Sequence, residues 1–220
     1  MKNDIHYTPL YTRVETARYT RTPITTMQYW CSGGAVIKPE NPHSAGGMSF
    51  INLIEVHVLA ALRRTHRMPL HKIRDSVRWL KNYTRIDHPL AELDIQTDGF
   101  NLFIDHLGQL ISASENGQTV IREIVEKYLR RIERDSHGRP VRFFPFTRDV
   151  TDVAIVPNLI VMDPVVAFGR PVIQGTRVTA ATILERWAAG DDINLLARDY
   201  DVNSEAIQEA IRCETLRHAA

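Results

Sequence analysis

YTRVETARYTRTPITTMQYW, residues 11–30, is the stretch that decides how the N-terminal half of this chain is read. Between Thr12 and Ser32 the pattern is a short helix, a break and a second short helix, with Pro23 in the break and Thr25 or Thr26 as the cap that begins the second. In the first helix Val14 and Ala17, with Arg18 or Tyr19, mark an inner face. In the second, Ile24, Met27 and Trp30 recur every three residues. Small Ala17 lets the two helices approach closely. These features predict a helix-turn-helix, in which the second helix can enter a major groove and the first crosses the DNA backbone.

Downstream, CSGGAVIKPENPHSAGG (31–47) is too rich in glycine and proline for a long helix, and Ala35 to Lys38 reads as one strand of a small hairpin, a wing. Ser49 then caps a helix carrying Phe50, Leu53, Ile54, Val58 and Leu62 and ending in the basic cluster Arg63, Arg64, His66 and Arg67. Pro69 starts another, with Leu70, Ile73, Val77 and Leu80 inward and His71, Lys72, Arg74, Arg78 and Lys81 on its other surfaces. Alternating apolar residues in FNLFID and GQLISA (100–113) predict a β-hairpin turning at His106 to Gly108. Gln118 to Arg134 has a wide apolar helical face that must cover either that hairpin or a second subunit. Asp135 to Thr151 reads as a connection that packs through Val141, Phe143, Phe144 and Phe146.

After a strand-like edge from Ile155 to Asp163, AFGRPVIQGTR (167–177) supplies turns at Gly169, Pro171 and Gly175. Three helices follow: Ala180 to Ala189, stopped by Gly190; Ile193 to Tyr200; and Ser204 to His218, capped by Asn203. Their expected core is Ile183, Leu184, Trp187, Ile193, Leu196, Ala197, Val202, Ile207, Ala210 and Ile211. The predicted class is mainly α. A winged helix-turn-helix (1–86) precedes a β-hairpin plus amphipathic helix (87–135), a linker (136–152) and a C-terminal three-helix, helix-turn-helix-like domain (153–220).

With 220 residues, 44% of them hydrophobic and 24% charged, the chain has enough apolar mass for a core. No apolar run approaches the roughly 18 residues of a membrane helix, and MKNDIHYTPL lacks a signal-peptide core, so a cytoplasmic protein with no membrane partner is expected. Cys31 and Cys213 have no second thiol at metal-ligand spacing and read as free buried thiols. The net charge of +1 hides an asymmetry. Residues 1–85 hold 13 Lys/Arg against 5 Asp/Glu, and the remainder 14 against 21, so a head of +8 precedes a tail of −7. Positive charge gathered in one module suits a polyanion.

Two resemblances follow from these residues. YTRVETARYTRTPITTMQYW, then VIKP, then FINLIEVHVLAALRRTHRMPLHKIRDSVRWL, resembles the winged helix-turn-helix of MerR-type regulators. DPVVAFGRPVIQGTRVTAATILERWAAGDDINLLARDYDVNSEAIQEAI (163–211) resembles the domain-of-unknown-function 433 family, with a GxPxIxGTR turn before three helices. Together they look like a VapB-type antitoxin. The resemblance implies a type II toxin–antitoxin component that neutralises a PIN-like toxin nuclease and binds operator DNA to repress its own transcription. The long dimerisation helix and effector site of MerR proteins are replaced here by other elements. The alternative is a MerR-like ligand-responsive regulator with an effector pocket in residues 87–134.

For DNA, Thr25, Thr26, Gln28 and Tyr29 are the candidate groove contacts, Gln28 foremost, while Arg13, Arg18, Arg21 and Lys38 suit phosphates. Because one short helix reads few base pairs, a homodimer on two half-sites is expected. Arg63, Arg64 and Arg67 are either a solvated helix end or further DNA contacts. Arg170, Gln174 and Arg177, on a rigid Gly/Pro turn, are candidates for docking against toxin carboxylates; Gly175-Thr176-Arg177 also reads as a simple capping turn. His66 with His71 and Asp87 with His88 lack a third ligand, so no metal is expected. Without a phosphate loop, nucleophile elbow or paired-carboxylate motif, neither an enzyme nor a cofactor is expected.

Overall fold

The structure, a computed structural model, describes residues 4–32, 36–41, 47–64, 68–110, 115–148 and 157–215. Among these, nine α-helices and two short antiparallel strand pairs carry the fold, so it is mainly α. No helix among the described residues is long and apolar enough to cross a membrane.

Helix α1 (Arg13–Tyr19) begins with a reciprocal capping box: the Thr12 hydroxyl accepts the Glu15 N–H at 3.0 Å, and Glu15 accepts the Thr12 N–H at 2.8 Å. It ends in a Schellman turn, with Thr22 N–H donating to the Ala17 carbonyl and Arg21 N–H to that of Arg18. Arg21 takes the left-handed position there, φ 54°, which glycine usually fills. Helix α2 (Ile24–Trp30) follows Pro23 directly, with no side-chain cap. Thr25 and Thr26 lie inside its first turn, not at the cap as expected; proline supplies the entry angle alone. Met27, Trp30 and Ala17 are buried as the spacing predicts, whereas Val14 points outward and is 54% exposed.

Residues 36–38 form no strand. Val36 and Ile37 donate instead to the Trp30 carbonyl, and the antiparallel bridge in this region joins Tyr11 to Met48. Helix α3 (Phe50–Arg64) is buried on every side from Phe50 to Leu62, polar Asn52, Glu55 and His57 included, and so goes beyond the single apolar face that the spacing predicts. Its capping box is Ser49 with Asn52, each accepting the other's backbone N–H. At roughly 1.5–3 kcal/mol per fully buried Leu, Ile or Phe, the buried side chains of α3 contribute strongly to hydrophobic stabilisation. Around it pack α1, the helix α6 (Glu115–Leu129) and the strand β2 (Pro140–Phe143).

Helix α4 (Leu70–Thr84) buries Ile73, Val77 and Leu80 as expected. The hairpin predicted over FNLFID and GQLISA is not formed: residues 98–110 are a helix, α5 (Asp98–Leu110), and residues 111–113 lie outside the described residues. Phe100, Phe103, Ile104 and Leu107, at positions i, i+3, i+4 and i+7, are all buried. A run this short fits both periods, and the apolar faces of α4 and α6 select the helical one. The Gln118 side chain rests directly over Gly108, where a Cβ would lie 2.6 Å from it. Helix α6 (Glu115–Leu129) stops before the predicted Arg134. Its apolar face packs on α3 and α5, where a hairpin or a second subunit was expected.

The chain turns at once into β1 (Ile132–Arg134) and β2 (Pro140–Phe143), so part of the expected linker is a β-hairpin. Phe143, Phe144 and Phe146 are buried as predicted. Arg131, itself buried, binds the carbonyls of Phe144 and Pro145 and the side chain of Asn158. Burial pulls its guanidinium down to about 10. Phe143 also bridges to Met162, beside β3 (Ile160–Val161), which pairs with β4 (Val172–Ile173). Helices α7 (Ala180–Ala188), α8 (Ile193–Asp199) and α9 (Ser204–Thr215) follow, capped by Thr179, Asp192 and Asn203. Gly190, φ 110°, ends α7 as expected. α9 packs on α7, α8 and both strands. Trp187, expected in the core, is 44% exposed. One hydrophobic core runs from Tyr11 to Cys213 through head and tail alike.

Candidate nucleic-acid interface

Met27 and Trp30 turn one face of α2 into the core, which leaves Thr25, Gln28 and Tyr29 exposed on the other; Tyr29 is 60% exposed and Thr26 half-buried. The row expected to read bases is therefore a free polar edge. No carboxylate pairs with it among the described residues. Lys38 is exposed, and its carbonyl is tied to α3 through the Asn52 amide at 3.0 Å. Asn52 also accepts the Glu40 N–H, so one buried side chain fixes the 38–40 segment against the head.

The basic residues of α1 are used differently from the expectation. Arg18 pairs with Glu214 of α9 at 2.8 Å and donates to the Tyr19 hydroxyl at 2.7 Å. Glu214 is only 7% exposed; burial pushes its carboxyl up, against the opposing charge of Arg18. Arg21 donates to the Arg148 carbonyl. Arg148 in turn pairs with Glu205 and with Glu209, which is fully buried on α9 and also bound by Thr147 and Arg212. Two of the four expected phosphate contacts thus hold the C-terminal helix. No local sequence pattern connects Arg18 to Glu214 or Arg21 to Arg148, so the pairing could not be read from the chain.

Arg63 donates to the Met68 carbonyl, while Arg67, His66 and the Arg64 side chain lie outside the described residues. His88, considered with Asp87, sits instead between Glu55 at 3.0 Å and Glu40 at 3.4 Å. These groups, with Lys38, Arg74 and Lys81, line a pocket of about 480 Å³ between residues 36–40, α4 and residues 87–89. The two cysteines are unpaired; Cys213 is buried and Cys31 half-buried, and burial pushes the Cys31 thiol up to about 11.

In the C-terminal module Arg170, Gln174 and Arg177 are all exposed around β4. The tight turn is present too, with Thr176 N–H donating to the Ile173 carbonyl and Gly175 at φ 81°. Sequence reasoning passed over Val165 and Phe168, exposed by 72% and 76% in the loop just before Arg170.

Comparison with known proteins spans both halves of the chain. Residues 160–212, from β3 into α9, match the family described as "Protein of unknown function (DUF433)". Over 232 aligned residues the chain is 30% identical to "Putative antitoxin VapB45" of Mycobacterium tuberculosis, covering 92% of each sequence. It also resembles the X-ray crystal structure of Rv2018 from Mycobacterium tuberculosis, with a TM-score of 0.72 and 27% identity over 93% of this chain and 98% of that one. Similarity of that extent includes head and tail together, and the chain belongs to the VapB45 family of antitoxin-like proteins.

Proposed function

We propose that this protein is the antitoxin of a type II toxin–antitoxin pair: it neutralises a PIN-like toxin nuclease and, as a homodimer, represses its own operon through a MerR-like helix-turn-helix. The observation that carries the DNA-binding half is the exposed row Thr25, Gln28 and Tyr29 on a helix whose opposite face is locked into the core. A major groove accepts such an edge, and a glutamine can bind adenine with two hydrogen bonds. The +8 charge of residues 1–85 supplies attraction, with exposed Lys38 as a phosphate contact; Arg13, Arg18 and Arg21, already engaged within the chain, join it only by exchanging partners. The toxin-binding half draws on the antitoxin-named relative and on exposed Arg170, Gln174 and Arg177.

Gel shifts with the DNA upstream of the gene test this reading. Gln28→Ala is expected to lose about 1–3 kcal/mol of discrimination against unrelated DNA, while Lys38→Ala weakens both alike and lowers the salt slope by about one. Equal binding of operator and random duplex by the unaltered protein would refute the repressor role. A second reading, a ligand-responsive regulator, draws on the pocket of about 480 Å³, a volume within the usual range for small-molecule sites. Thermal shifts against a metabolite set would favour it only where a compound also changes the gel shift.

A further inference from the structure

The loop joining β3 to β4 holds an aromatic side chain out in solvent at a cost in backbone strain. Ala167, Phe168 and Gly169 have φ of 48°, 55° and 76°, three left-handed residues in succession. Glycine adopts that conformation freely; each L-residue in it costs about 1–2 kcal/mol. The loop is pinned from below. Gly169 is buried, its carbonyl accepts the Tyr11 hydroxyl at 2.9 Å, and a Cβ on it would lie 2.1 Å from that hydroxyl. Asp163 holds the other end, accepting the Val165 N–H at 2.9 Å while it pairs with Arg142 at 3.2 Å.

Phe168 gains little in return within this chain, being 76% exposed, and Val165 beside it is 72% exposed. A strained, over-determined conformation with no internal benefit points to use by something outside. Just beyond the loop, Arg170 and Arg177 are exposed, and their guanidinium groups make no hydrogen bond or ion pair among the described residues.

We propose that Phe168, with Val165, is a pre-ordered anchor that inserts into an apolar pocket, rimmed by carboxylates, on a partner protein. The inference rests on the antitoxin reading, under which that partner is the toxin. Rigid aromatic and arginine residues dominate protein interfaces, and an anchor already held in place avoids the cost of ordering it on binding. Charge selects the occupant. A second copy meeting this one about a two-fold axis would set Arg170 and Arg177 against their own equivalents. A nucleic acid would offer phosphates to the two arginines but no apolar pocket for exposed Phe168 and Val165.

The test uses full-length protein and the purified product of the adjacent reading frame, by titration calorimetry, with Phe168→Gly, Phe168→Leu and Val165→Asp. Because glycine relieves the left-handed strain, Phe168→Gly should hold the melting temperature or raise it by up to about 4 °C. It should also weaken binding by about 30-fold or more, with Phe168→Leu intermediate and Val165→Asp similarly weakened. A Phe168→Gly variant that binds as tightly as the unaltered protein overturns the anchor while leaving the antitoxin reading intact. If the unaltered protein does not bind the adjacent product, both fall. Loss of self-association by light scattering, or of upstream DNA in a gel shift, with toxin binding unchanged, would assign the loop to a second copy or to nucleic acid and so also overturn the proposal.

Discussion

Arg18 carries a charge that two surfaces can use. DNA phosphates would take it as one more counterion, yet in the folded chain it already satisfies Glu214, whose carboxylate is nearly buried. A buried carboxylate deprived of its partner is costly, so Arg18→Ala is expected to lose about 1.5–3 kcal/mol in urea denaturation. Glu214→Gln removes the charge that needs pairing and should cost less. It also frees Arg18, and its non-specific DNA affinity should rise with a salt slope steeper by about one. Unchanged stability in Arg18→Ala, with uniformly weaker DNA binding, would return this arginine to the phosphates. Arg21 shows the same economy of use: it fills a left-handed turn position that favours glycine, and its side chain holds the Arg148 carbonyl.

Elements in this protein are joined by buried polar clips as well as apolar faces. Asn52 and Glu55 on α3, Glu40 in the 36–41 segment and His88 after α4 form one of them. Burial acts to lower the His88 imidazole, but the hydrogen bond and charge of Glu55, with Glu40 and Asp87, outweigh it and raise it above its ordinary 6.5. Burial raises the Glu55 carboxyl, partly offset by His88 and Asn52. Both shifts mean that the folded state holds protons more tightly than the unfolded chain. The stability they contribute is full below pH 6.5 for His88 and is lost as pH rises through its higher folded value. The melting temperature should therefore fall on going from about pH 6 to above neutrality, and His88→Gln should flatten that slope. A slope unchanged in His88→Gln would assign it to other groups.

Across the whole molecule, the basic head and acidic tail share one core and a carboxylate-centred lock. Glu209 accepts hydrogen bonds from Arg148, Thr147 and Arg212 with no exposed surface of its own. Burial opposes its ionisation, but Arg148, Thr147 and Arg212 prevail and hold the carboxyl below its ordinary 4.5. Its contribution is present above pH 4.5 and lost as pH falls through the lower folded value. Calorimetry should show one unfolding transition, and Glu209→Ala should lower it by about 3 kcal/mol. Two resolved transitions would show that head and tail unfold independently.

Local chemistry alone determined the capping box at Thr12, the cap at Asn203, the stop at Gly190 and the buried faces of α2 and α4, because each depends on residues within about one helical turn. The exposed edge of α2 was legible for the same reason. Only the tertiary structure decided that residues 98–110 are helical, since their apolar spacing fits two periods and α4 and α6 supply the faces that choose. It likewise turned Val14 and Trp187 outward and gave Arg18 and Arg21 to the C-terminal half. Those outcomes rest on contacts between residues more than a hundred positions apart or between whole faces, and no periodicity in the chain encodes which distant surface a side chain will meet.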